Sequence, residues 1–63
     1  METVYVLQHV EDKSFYGITK TFGYSLAFAK MYNYKIWAQN DLNRMDSRLS
    51  NKLIIREVQI KLI

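Results

Sequence analysis

The 63-residue chain has no cysteine, no proline, only two glycines and one histidine. Each shortage closes a route. Without cysteine there is no disulfide framework, and His9 alone cannot hold a structural metal. Gly17 and Gly23 lack the lysine and helix-start context of a phosphate-cradling loop. No apolar run approaches the roughly 20 residues of a membrane span. The opening Met-Glu-Thr-Val-Tyr-Val-Leu has neither a basic n-region nor a long apolar h-region. These features read as a soluble, untargeted chain, and the lack of cysteine fits a reducing, cytoplasmic setting. No nucleophile, base and stabiliser converge in the sequence. His9, Asp12 and Ser14 are close neighbours, but ordinary turn composition accounts for them. The expectation is a non-enzyme with no cofactor and no metal. With no low-complexity tract or repeat either, residues 1–63 read as a single small domain.

What is present is apolar and aromatic. Hydrophobic residues make up 49% of the chain, with five tyrosines, three phenylalanines and one tryptophan. A chain this short buries only about 60% of its unfolded surface, and small folds without disulfides or metal lean on a partner subunit. A homo-oligomer, most simply a dimer, is the expected support.

Hydrophobic periodicity divides the chain into four elements. Residues 3–10 are rich in Val and Tyr with apolar side chains on both alternating faces, a strand buried on two sides. After the turn-like Glu11-Asp12-Lys13-Ser14, residues 15–22 alternate with Tyr16, Ile18 and Phe22 on one face, predicting a second strand. From Ser25 the period lengthens. Ala27, Met31, Tyr34, Ala38, Leu42, Met45 and Leu49 fall on one helical stripe, predicting one long helix that stops at Ser50-Asn51. Asn33 is the alternative start, capping a shorter helix from Tyr34. Residues 52–63 alternate again, through Val58, Ile60 and Leu62, as a third strand. The expected fold is α+β: a three-stranded antiparallel sheet, β-β-α-β in order 2-1-3, with one long helix packed on one face. That leaves one apolar sheet face open, and Tyr5, Leu7, Leu53 and Ile55 are the candidates for self-association there.

Candidate binding residues come from the helix. Trp37 lies along one edge with Asp41, Arg44 and Arg48, an interface anchor framed by charges. The plainer reading is a core-edge tryptophan covered by arginine stems. Ile36 falls nearly opposite the stripe, within about 40° of Tyr32 at 100° per residue, a possible second contact. The formal net charge is +3, and no acid occurs among residues 13–40, which contain Lys13, Lys20, Lys30 and Lys35. Interleaved with Phe15, Tyr16, Tyr32 and Tyr34, these lysines suit nucleic acid with stacking platforms. Against that, Tyr16 and Tyr34 fall on faces claimed by packing, and this stretch has no arginine.

The opening Val-Tyr-Val-Leu-Gln-His, the central Ala29-Lys30-Met31-Tyr32 to Trp37-Ala38-Gln39, and the closing Ile54-Ile55-Arg56-Glu57-Val58-Gln59-Ile60 resemble the short orphan proteins encoded by bacteriophages. The resemblance implies an accessory protein in the host cytoplasm that binds a host protein, such as a defence factor, and inhibits or redirects it sterically. Trp37, Arg44, Arg48 and Ile36 are then the partner-binding candidates. A nucleic-acid-binding protein and a structural subunit of a larger assembly are the alternatives.

Overall fold

The computed structural model describes residues 2–60. In chain order these form β1 (Glu2–His9), β2 (Phe15–Tyr16), β3 (Phe22–Gly23), a 3-10 turn (Leu26–Phe28), α1 (Lys35–Arg44), α2 (Ser47–Ser50) and β4 (Leu53–Ile60). The sheet has four strands, not the three expected, in the order β3-β2-β1-β4, with every neighbouring pair antiparallel.

The extra strand arises because the expected second strand folds back on itself. Gly17 N–H donates to the Thr21 carbonyl at 2.8 Å and Lys20 N–H to the Gly17 carbonyl at 3.1 Å. Lys20 has φ 65°, the left-handed residue of a three-residue hairpin loop. The preceding hairpin, between β1 and β2, is built similarly. Lys13, also at φ 65°, donates to the His9 carbonyl, while the Asp12 carboxylate accepts from the Ser14 N–H and hydroxyl.

The expected 25-residue helix is also corrected. Its first part is the 3-10 turn, followed by extended backbone that pairs Ala29 with Gly17 and Tyr32 with Tyr5. Tyr5 and Tyr32 exchange both backbone hydrogen bonds at 2.8 Å, filling the β1 edge that two-residue β2 leaves open. Extended backbone satisfies those polar groups of β1, which a helix at this position would leave unpaired. Helix α1 starts only at Lys35. Its cap residue is Tyr34, whose side chain makes no capping bond, so Asn33 is not the cap. The helix ends at Arg44, and Asp46 opens α2 by accepting from the Arg48 N–H at 3.0 Å.

β1 and β4 pair along their full length, from Glu2 opposite Ile60 to His9 opposite Leu53. Lys61, Leu62 and Ile63, assigned to the last strand from sequence, lie outside the described residues. On the face that α1 covers, Leu7, Tyr32, Ala38, Leu42 and Leu53 form the core, with Tyr5, Tyr16, Met45, Leu49 and Ile55 packed against it. This overturns the self-association set. Leu7 is 0% exposed, Leu53 is buried, and Tyr5 and Ile55 pack against the same core beneath α1. The open-face argument for a second copy at these four residues therefore fails.

The opposite face holds Val4, Val6 and Gln8 of β1, all buried. The 3-10 turn lies over part of it: Leu26 lines an apolar cleft with Gln8, Phe15, Arg56 and Val58. Arg56 donates across this face to Gln8 Oε1 at 2.7 Å. Thus the chain itself covers the second apolar side of β1. Burying Val6 and Leu7 contributes about 1.5–3 kcal/mol each.

Candidate binding surface

The break before α1 creates the polar centre of the molecule. On a continuous helix Lys30 and Asp41, eleven residues apart, would be separated by about 16 Å. Because the chain turns at residues 33–34 and α1 packs back, Lys30 Nζ lies 3.0 Å from Asp41 Oδ2. The Tyr32 hydroxyl donates to the same oxygen at 2.6 Å. These two bonds hold the Asp41 carboxyl below its ordinary value, the Tyr32 hydroxyl first and Lys30 second. Burial, reinforced by the neighbouring carboxylate, pushes the Tyr32 hydroxyl well above the tyrosine range. Lys30 also stands 5.2 Å from the centre of the Tyr32 ring.

Two clefts meet at this cluster. One, of about 400 Å³, lies between the β2–β3 turn and α1 and is lined by Tyr16, Ile18, Lys20, Lys30, Asp41, Arg44 and Met45. The other, of about 330 Å³, adds Met31, Tyr32, Asn33, Trp37 and Asn40 to the shared Lys30, Asp41 and Arg44. Lys30, Asp41 and Arg44 thus form a ridge between them. Trp37 is 50% exposed and meets Tyr34 edge to face, with ring centres 4.8 Å apart.

Of the partner-binding candidates, the structure brings Trp37 and Arg44 to one cleft, the second, with Arg44 on the ridge and Trp37 beyond it. Arg48 is exposed on α2, and neither it nor Ile36, which is 65% exposed, lines either cleft. The lysines disperse. Lys20 and Lys30 share the first cleft, Lys13 sits in the β1–β2 turn, and Lys35 lines a separate recess with Tyr5, Ile55 and Glu57. Tyr34, read from its spacing as core, is largely exposed, whereas Tyr32 is in the core. Met31, which the helical stripe places in the core, is exposed because the chain before α1 is extended, and Asn40, a polar position on the exposed side of α1, carries no signal that sets it apart.

Around the first turn, His9, Asp12 and Ser14 form a local hydrogen-bonded knot. The Asp12 carboxyl is lowered chiefly by the Ser14 hydroxyl. Among the described residues, no group of three or more His, Asp or Glu side chains is placed to hold a metal. None of the described helices is long and apolar enough to cross a membrane. No family model, curated protein or solved structure matches the chain.

Proposed function

We propose that the chain is a non-catalytic binding module that docks onto another protein through the surface of α1 that carries Trp37 and Arg44. The observation that carries this reading is the half-exposed Trp37, braced by Tyr34 and lining the second cleft together with Arg44. Trp, Tyr and Arg are the residues most enriched among interface hot spots, where a braced aromatic loses little freedom on binding. Such a surface acts sterically, by occupying a site on its partner, which is the mode implied by the bacteriophage-protein resemblance. The test is affinity capture from a nuclease-treated bacterial lysate with wild type and Trp37→Ala in parallel. A protein recovered by the wild type and lost from the variant supports docking through Trp37. Equal recovery by both rejects it.

One observation favours a second reading, direct binding of nucleic acid. The fold adds Arg44 to Lys20 and Lys30 in one cleft, supplying the arginine that the basic stretch lacks. Under that reading affinity for an oligonucleotide falls steeply with salt.

A further inference from the structure

The first cleft has an unbalanced charge. It is lined by Lys20, Lys30 and Arg44 but by one carboxylate, Asp41, and that carboxylate is already engaged by Lys30 and the Tyr32 hydroxyl. Among the described residues, neither Lys20 nor Arg44 has an acidic group within ion-pair distance. Lys20 and Arg44 therefore line the cleft without an ion pair among the described residues, and the Asp41 carboxylate that attracts Arg44 from a distance is shared with Lys30 and Tyr32. The remaining lining is apolar or aromatic: Tyr16, Met45 and Ile18, the last 76% exposed. Across the ridge the second cleft offers Met31 and Trp37 beside the amides of Asn33 and Asn40, which can pair with a peptide backbone.

Resting on the docking reading above, we propose that the two clefts together receive an extended acidic segment of the partner protein. One of its carboxylates lies between Lys20 and Arg44, and an apolar side chain crosses the ridge to Trp37. Charge complementarity selects this occupant. Nucleic acid fits less well, because a phosphate chain needs a track of cations. Here Lys13 and Lys35 lie away from the cleft, and the Asp41 carboxylate stands on the ridge where a phosphate would pass. An uncharged apolar segment would leave Lys20 and Arg44 desolvated without partners.

The experiment titrates a labelled peptide of alternating glutamate and leucine, and separately a labelled oligothymidylate of equal charge, into the full chain. Binding is read by anisotropy of the label and by emission of Trp37, the chain's single tryptophan. Lys20→Gln and Arg44→Gln are compared with Lys13→Gln, which removes the same charge outside the clefts. The expected result is at least fivefold weaker peptide binding for each cleft variant, less than twofold change for Lys13→Gln, and a Trp37 emission shift on binding. Equal weakening by all three variants, tighter binding of the oligonucleotide, or no peptide binding at millimolar concentration overturns the proposal. Failure here is distinguishable from failure of the docking reading: a partner captured through Trp37 but indifferent to Lys20→Gln and Arg44→Gln sinks only the acidic-segment assignment.

Discussion

At the scale of single residues, Tyr32 ties the fold together, since its ring lies in the core and its hydroxyl holds Asp41. The hydroxyl is bound in its neutral form, and its folded pKa lies above the ordinary value of 10.0. The unfolded chain therefore loses this proton first as pH rises. Tyr32's contribution is full below about pH 10 and declines above it. Asp41 works in the opposite sense. Its folded pKa lies below 3.8, so its contribution is present above that pH and is lost as pH falls through the folded value. Tyr32→Phe is expected to cost about 1.5–3 kcal/mol near neutral pH through the lost hydrogen bond to a carboxylate. It is also expected to lose less stability than the wild type on going from about pH 7 to about pH 11. Urea unfolding at those two pH values checks both statements, and an equal alkaline loss in the two proteins would remove Tyr32 as its source.

At the scale of elements, the β2–β3 hairpin depends on glycine for space. The Phe28 ring lies over both Gly17 and Gly23, and a Cβ added at Gly23 would stand 2.9 Å from the ring. At Gly17 the overlap is closer still, onto the same ring. Gly17→Ala is expected to destabilise by about 1–3 kcal/mol through overpacking. In a Phe28→Ala background its cost falls by more than half, because the obstructing ring has gone. Thermal unfolding of the four proteins in that cycle measures the coupling, and an unchanged cost would place the strain elsewhere.

These local arrangements also show where the sequence could be read. The two long strands follow from Val and Tyr richness in the first and alternation in the last, and the helical stripe holds for Ala38 and Leu42, both buried; Met45 and Leu49 pack on the same core although α1 ends at Arg44. The stripe fails before Ala38 because Ala27, Met31 and Tyr34 match a helical period while the backbone there is a 3-10 turn and extended chain. A period registers spacing, not the unpaired β1 edge that recruits Tyr32. The β2–β3 turn was equally opaque. Its loop is Ile18-Thr19-Lys20, two strand-forming residues and a lysine in a left-handed position that usually calls for glycine. Trp37 and Arg44 were legible as a pair from helical spacing. The clefts beside them were not, because their other wall comes from the turn that the sequence concealed.

At the scale of the whole molecule, β4 is an edge strand eight residues long, with Arg56 and Glu57 in mid-strand on opposite faces. A symmetric antiparallel pairing of two such edges keeps each face on its own side. Centred on either residue, it sets Arg56 against its own copy or Glu57 against its own, an arrangement that discourages edge-to-edge association. The same strand supplies the longest-range connection in the fold, since it pairs with β1 across most of the chain.

Because Glu2 stands opposite Ile60, the described segment, residues 2–60, nearly closes on itself as a ring. Joining Ile60 to Glu2 through a short flexible segment and cutting the ring within the Ile18–Lys20 loop would make β4 and β1 consecutive, a local hairpin instead of a distant pair. Such a circular permutant is expected to keep the backbone pairings of the described residues and to fold faster, since the loop that must close to form the largest strand pair shrinks to a few residues. Stopped-flow refolding of the two forms makes the comparison, and equal or slower refolding of the permutant would mean that the union of the first and last strands does not set the pace.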